Sequence, residues 1–242
     1  MPGFKVDAAS CLPVPQGFDR DIFTGSPSLK TLTDTYAPSL TAEEESFLNN
    51  EVEELCGVID DTATVTNADL SAEAWALMRR RGFFAMKIPK EWGGKGFSTA
   101  AVSAVLVKLG TRSADANATV AVPNSLGPGE LLVRHGTPEQ RARFLPRLAS
   151  GELIPCFGLT GPHSGSDATS LVGSFGVVER RASDGALGVR ATFRKRYITL
   201  APVAGVAGIG FDLQDPGGLL GAGVLQGEAR GKEGFTVALL ER

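Results

Sequence analysis

The chain has 242 residues, 43% of them hydrophobic and 21% charged, enough apolar material to build a proper core in one large or two smaller domains. A formal net charge of −3 excludes the strongly basic footprint of a nucleic-acid binder. Cys11, Cys56 and Cys156 are odd in number and far apart, which implies neither a disulfide framework nor a metal knuckle and suits a reducing compartment.

Residues 1–40, with Pro13, Pro15, Gly17, Pro27 and Pro38, read as an irregular extension. Ala8-Ala-Ser-Cys11 faintly resembles a lipoprotein cleavage site but has no apolar run before it, and Asp7, Asp19 and Asp21 around Arg20 argue against an organellar presequence. From Leu40 the pattern turns helical. Thr41-Ala-Glu-Glu44 is a capping-box start, and Leu48, Val52, Leu55 and Ile59 form one apolar stripe. The acids Glu43, Glu44, Glu45, Glu51, Glu53 and Glu54 read as a solvated face. Ser71 opens a second helix with Trp75 and Met78 inward, and Arg79, Arg80 and Arg81 sit in its last turn, where the helix dipole favours cations.

The loop Pro89-Lys-Glu-Trp92-Gly-Gly-Lys-Gly96 is not a phosphate loop, because Lys95 precedes Gly96-Phe97 and no Gly-Lys-Ser/Thr follows. A third helix starts near Ser98, with Val102, Val105, Leu106 and Leu109 apolar and Gly110 closing it. Ala114–Val122 is a small-residue helix ended by Pro123, and Thr137-Pro-Glu-Gln140 is a second capping box opening a helix that Gly151 stops. Beyond Gly151 the texture becomes β-branched and alternating. Strands are expected at Leu153–Leu159, Phe175–Arg181, Leu187–Phe193, Tyr197–Leu200, Val203–Leu213 and Phe235–Leu240, with a hairpin at Asp184-Gly185. No run reaches the roughly eighteen apolar residues of a membrane span. The expected class is α+β: a helical domain over 41–152, then an antiparallel, barrel-like domain over 153–242.

Two segments carry chemistry. In Phe157-Gly-Leu-Thr160-Gly-Pro-His163-Ser-Gly-Ser166-Asp167, small hydroxyl residues and glycines let backbone N–H groups approach a pyrophosphate. In Lys195-Arg-Tyr197-Ile-Thr199, an aromatic face and a hydroxyl stand two positions apart, on one side of any strand that carries them. Together they read as a flavin site, and an ordinary turn is the plainer alternative for the first.

The order of motifs resembles the acyl-CoA dehydrogenases: Ile88-Pro-Lys-Glu-Trp-Gly-Gly94, Asn124-Ser-Leu-Gly-Pro-Gly129, Gly136-Thr-Pro-Glu-Gln140, Phe144-Leu-Pro-Arg-Leu-Ala149, the Thr160 loop and Lys195-Arg-Tyr-Ile-Thr199. The wording is nearest the large bacterial fatty-acyl-CoA branch, and the likeness covers roughly residues 17 to 242. The resemblance implies FAD held between a middle β-domain and helices, and oxidation of the Cα–Cβ bond of a fatty acyl thioester. It implies that Thr160 bonds the flavin's pyrimidine edge, and that Phe157 and Leu159 border the ring. Ser166, with Gly165 allowing close approach, would touch the FAD pyrophosphate and the CoA part of the substrate. Tyr197 would pack on the ring, with Ile198 beside it, and Thr199 would sit near flavin N5.

The resemblance further implies electron-transferring flavoprotein as acceptor, a homo-oligomer when full length, and a cytoplasmic setting, or a mitochondrial or peroxisomal one in a eukaryote. Gly161 stands where an acid is usual, and Ser164 where alanine is. The family's general base is a glutamate in a C-terminal four-helix domain, which leads to the expectation that this chain is a fragment without that domain and without the base. The alternative is a non-catalytic flavin- or acyl-CoA-binding or interaction module of the same descent. A flavin oxidase or monooxygenase on the same scaffold is a third reading, which the Tyr-Ile-Thr and Leu-Gly-Pro-Gly motifs disfavour. His163 reads as an exposed loop residue, and Arg190, Arg194, Lys195 and Arg196 as a solvated strand face.

Overall fold

A computed structural model describes residues 18–36, 39–125, 127–221, 225 and 234–242. Cys11, Pro13, Pro15, Gly17 and Pro38 lie outside the described residues. The chain divides into two compact units, residues 1–41 and 42–242.

In the first unit the expected irregular stretch contains two helices, α1 (Phe18–Phe23) and α2 (Leu29–Tyr36). Their cause is local. Gly25, at φ 77°, turns the chain after α1, and the Ser28 hydroxyl accepts the Thr31 N–H at 3.3 Å to start α2 directly after Pro27.

The second unit opens with α3 (Ala42–Asn49) and α4 (Glu51–Val58), separated at Asn50. Phe47, Val52, Leu55 and Ile59 bury one stripe, while Leu48 is only half-buried. The acid face is not uniformly solvated: Glu44 is buried and its carboxylate accepts the Ser98 N–H at 2.6 Å. Next come α5 (Asp61–Asn67) and α6 (Ala72–Arg81), whose first turns are capped by the Asp60 and Ser71 side chains. Met78 is buried as expected, whereas Trp75 is half-buried with its indole N–H on Asp69.

The glycine-rich loop folds back on residues 85–89. Lys95, Gly96 and Phe97 donate backbone N–H groups to Ala85, Ile88 and Met86. A Cβ at Gly94 would overlap the Ile88 carbonyl oxygen, so only glycine passes there. The Lys95 ammonium lies 4.7 Å from the Phe47 ring centroid, which occupies the cation in packing. The helices α7 (Thr99–Arg112), α8 (Ala114–Ala121), α9 (Pro128–His135) and α10 (Pro138–Ala149) follow. α7 runs through Gly110, and Ser113 caps α8. Thr137 and Gln140 make the full reciprocal capping box at the start of α10.

The strands are β1 (Pro155–Gly158), β2 (Phe175–Arg180), β3 (Leu187–Thr192), β4 (Val206–Gln214) and β5 (Phe235–Glu241). β4 is the spine. β1 runs parallel to its Val206–Ile209 end, β2 runs parallel to Asp212–Gln214, and β5 lies antiparallel to Val206–Asp212. β3 closes a hairpin on β2 through the expected Asp184-Gly185 turn, with Gly185 at φ 68°. The sheet is therefore mixed, not antiparallel, because β1 and β2 reach β4 through long connections that permit parallel pairing. The described strands do not close into a barrel.

Helices and sheet share a core of Ala85, Ile88, Leu132, Phe144, Leu145, Leu148, Leu153 and Val206, with Trp92 and Leu239 packed against it. Each large aliphatic side chain buried there contributes about 1.5–3 kcal/mol. Among the described residues no helix is long and apolar enough to cross a membrane.

Candidate functional site

Bare backbone on β4 makes room for the start of the site. A Cβ at Gly208 would meet the Phe157 ring at 3.0 Å and Pro128 at 3.2 Å, and one at Gly210 would meet Leu159 at 2.9 Å. Phe157 and Leu159, two apart, thus lie over the two glycines of the spine, with the first turn of α9 beside Phe157. Cys156, between Pro155 and Phe157, is buried, and that burial raises its thiol pKa, which makes it a packing residue and not a nucleophile.

After Leu159 the chain turns sharply. Gly161 N–H donates to the Ser164 carbonyl at 3.0 Å, closing a turn around Pro162 and His163. A Cβ at Gly161 would lie 3.3 Å from the Arg194 carbonyl oxygen, so the glycine permits close approach of the second segment. Two hydrogen bonds then join the segments: Arg196 N–H donates to the Thr160 carbonyl and Lys195 Nζ to the Leu159 carbonyl, both at 3.0 Å. Partial burial lowers the Lys195 ammonium below its ordinary pKa.

Thr160 is half-buried, Ile198 is half-buried and Thr199 is exposed. Tyr197 is 77% exposed, with the Arg196 guanidinium 4.4 Å from its ring centroid. Gly165 and Ser166 lie on the outer, exposed part of the loop, and Ser166 has no hydrogen bond to Thr160 or Thr199. The fold therefore brings the Thr160 backbone to residues 195–196.

The expected strand at Tyr197–Leu200 is not formed. Tyr197 and Leu200 have φ of 59° and 65°, and Ala201 N–H to Ile198 O and Val203 N–H to Leu200 O make consecutive turns. Left-handed backbone at two non-glycine residues has no composition signal, which is why alternation suggested a strand. The same-side argument for Tyr197 and Thr199 falls with it, and Arg194, Lys195 and Arg196 lie past the end of β3, not on a strand face.

Sequence reasoning also missed the inward Lys195 and the buried Ser164 hydroxyl, which has no hydrogen-bond partner among the described residues. No groups of three or more potential metal ligands cluster among the described residues.

Residues 39–152 match the model of the acyl-CoA dehydrogenase N-terminal domain. Over that span the chain is similar to the acyl-CoA dehydrogenases. It is 33% identical over 159 residues to the 3-(aryl)acrylate reductase of Clostridium sporogenes, covering 65% of this chain and 38% of that protein. It is 29% identical over 140 residues to the human mitochondrial very long-chain specific acyl-CoA dehydrogenase, covering 56% of this chain and 21% of that one. The fold is that of a Mycobacterium smegmatis glutaryl-CoA dehydrogenase solved in complex with FADH2, with TM-score 0.60, 24% identity, and 72% and 44% of the two chains covered. The chain spans less than half the length of the curated relatives it matches. The match ends at residue 152, so every candidate site residue from Phe157 to Thr199 lies beyond the matched span.

Proposed function

We propose that this chain forms one wall of a flavin site in a dehydrogenase that oxidises the Cα–Cβ bond of a fatty acyl-CoA to the trans-2-enoyl-CoA, with electron-transferring flavoprotein as the acceptor. The observation that carries the reading is the joining of the Thr160 turn to the Lys195–Thr199 segment by the Arg196 N–H and the Lys195 ammonium. It is supported by the family match over residues 39–152 and by a structural neighbour that is a flavin complex.

The residues present fit FAD by their donor set. Hydroxyls at Thr160, Ser164, Ser166 and Thr199, one of them buried and unpartnered, stand with an exposed Gly165 whose missing Cβ faces open space. Thr160 and Thr199 would offer hydroxyl hydrogen bonds to the polar edges of the ring system. Ser166 and the Gly165 backbone would meet phosphate, and Ser166 the CoA part of the substrate. Phe157, Leu159 and Ile198 would form an apolar border that excludes water. Tyr197 would offer the ring face that Arg196 leaves uncovered. Bound FAD supplies the two-electron acceptor that no side chain can provide. No carboxylate of this chain is assigned as the base that takes the α-proton.

The test is flavin capture by a purified holoprotein containing this chain, read by fluorescence quenching on titration with FAD and then by the change in flavin absorbance on adding palmitoyl-CoA. Capture that weakens roughly tenfold in Thr160→Ala is the expected outcome, since losing one hydrogen bond to a buried partner costs about 1–3 kcal/mol. Capture indifferent to Thr160→Ala would overturn the site. Bound flavin that palmitoyl-CoA does not reduce but that, once chemically reduced, is reoxidised by an aryl acrylate would replace the fatty acyl substrate with an aryl acrylate, the compound named for the Clostridium relative.

A further inference from the structure

A hollow of about 420 Å³ opens beside the C-terminal end of β4, against the starts of β2 and β5. Register fixes what faces it. Asp212 on β4 lies opposite Phe175 on β2 and opposite Phe235 on β5, and directly opposed residues of paired strands share one face of the sheet. Phe211, the neighbour of Asp212, is buried on the other face, in the space that a side chain at Gly176 would take. A carboxylate thus stands between two phenyl groups, which are 38% and 37% exposed.

Among the described residues Asp212 makes no ion pair, and its one side-chain hydrogen bond comes from Gln214 Nε2 at 3.3 Å. It is the single charged group among the described residues that line the hollow. The facing wall is pinned to it. Ser174 N–H donates to the Leu171 carbonyl at 2.8 Å, and the Ser174 carbonyl accepts the Asp212 N–H at 3.0 Å. The Ser174 side chain also lines the hollow, and its buried hydroxyl has no hydrogen-bond partner among the described residues.

These groups select one chemistry. A lone carboxylate repels phosphates and other anions. No cluster of three potential metal ligands forms among the described residues, which leaves a bare divalent ion short of donors. A wholly apolar guest would bury the carboxylate without a partner. Phenyl groups on both sides of an acid suit a cation that carries its own hydrocarbon, because the rings attract the charge and pack on the carbon atoms.

We propose that this hollow binds the ammonium group of a small organic amine, with Asp212 as counter-charge, Phe175 and Phe235 as flanking walls, and Gln214 and Ser174 as polar neighbours. The proposal goes beyond the flavin reading and uses none of the residues assigned there.

The test is a ligand-observed NMR titration of the purified protein with choline and separately with ethanolamine. Saturable binding is expected, weakened roughly tenfold or more in Asp212→Asn, which removes the charge and keeps the shape. Phe235→Leu is expected to weaken it roughly threefold, through loss of one cation–ring contact. Asp115→Asn, at an exposed carboxylate on α8, retains wild-type affinity. Circular dichroism reports whether Asp212→Asn is folded; if it is not, Phe235→Leu and Phe175→Leu carry the measurement. Tighter binding of choline points to a methylated amine, and tighter binding of ethanolamine to a primary one; both uphold the seat. Failure of both probes to saturate, or undiminished affinity in the folded variants, overturns it.

Discussion

The Glu44 carboxylate, 5% exposed on α3, accepts the Ser98 N–H at 2.6 Å where α7 begins. One helix thus closes the exposed donor end of another across a sequence separation of 54 residues. The Ser98 hydroxyl caps Ala101 N–H in turn, so the two residues share the first turn of α7. Glu44→Ala removes a charge-assisted hydrogen bond to the part-buried Ser98 N–H and is expected to destabilise the protein by about 1–3 kcal/mol. Urea unfolding checks this, and Glu45→Ala, on an exposed neighbour, is expected to change stability by less than about 0.5 kcal/mol.

Asn124 is buried and uses its whole amide. Its Nδ2 donates to the Phe83 carbonyl at 2.6 Å and the Val120 carbonyl at 2.8 Å, while Oδ1 accepts the Lys87 N–H at 3.2 Å. Asn124→Ala strands three backbone groups and is expected to cost about 3 kcal/mol or more. Asn124→Asp, which keeps the acceptor and loses the donors, is expected to be no better. Thermal unfolding followed by circular dichroism decides, and a variant as stable as wild type would remove Asn124 as the link between α8 and residues 83–87.

Glu241 on β5 is gripped by Arg147 and Arg143 of α10, both at 2.6 Å, and their hydrogen bonds hold its carboxyl below the ordinary carboxylate range. A folded pKa lowered in this way gives stability that is complete above the unfolded value. That stability is lost as pH falls from about 4.5 through the folded pKa. Glu241→Gln is therefore expected to lower stability by a constant amount at neutral-to-alkaline pH and to flatten the acid limb, so that variant and wild type converge at low pH. The contribution is exposed to solvent, so it is also expected to fade in molar salt. Denaturant midpoints measured across the acid range check the sign.

Thr199 tests the flavin reading kinetically. In a holoprotein containing this chain, Thr199→Val is expected to slow flavin reduction by acyl-CoA roughly tenfold, the rate equivalent of one desolvated hydrogen bond worth about 1–3 kcal/mol. Anaerobic stopped-flow measures the step directly. An unchanged rate would remove the hydroxyl from the reaction.

How much of this was legible depended on whether a residue's role is local. The Thr137–Gln140 capping box and the Asp184-Gly185 hairpin are local devices, and both formed where the residues placed them. The Ser28 cap of α2 and the Gly127-Pro128 start of α9 were equally local and went unread. By contrast, nothing in Glu44 itself distinguishes it from Glu43 or Glu45; its burial is set by Ser98, far along the chain. The turns at Tyr197 and Leu200 depend on left-handed backbone that no glycine announces. The parallel pairing of β1 and β2 on β4 was hidden for the same reason, because register between distant strands leaves no periodicity in either one.

The central place of β4 sets an order on assembly. Neither β1 nor β2 has its spine partner until Val206–Gln214 has left the ribosome, so some fifty residues beyond β1 must be made before that edge is satisfied. The helices from α3 to α10 precede all of this and draw mainly on neighbours already synthesised. A chain that has emerged only as far as Ala204 therefore leaves β1 without its β4 partner, and β2 with β3 alone.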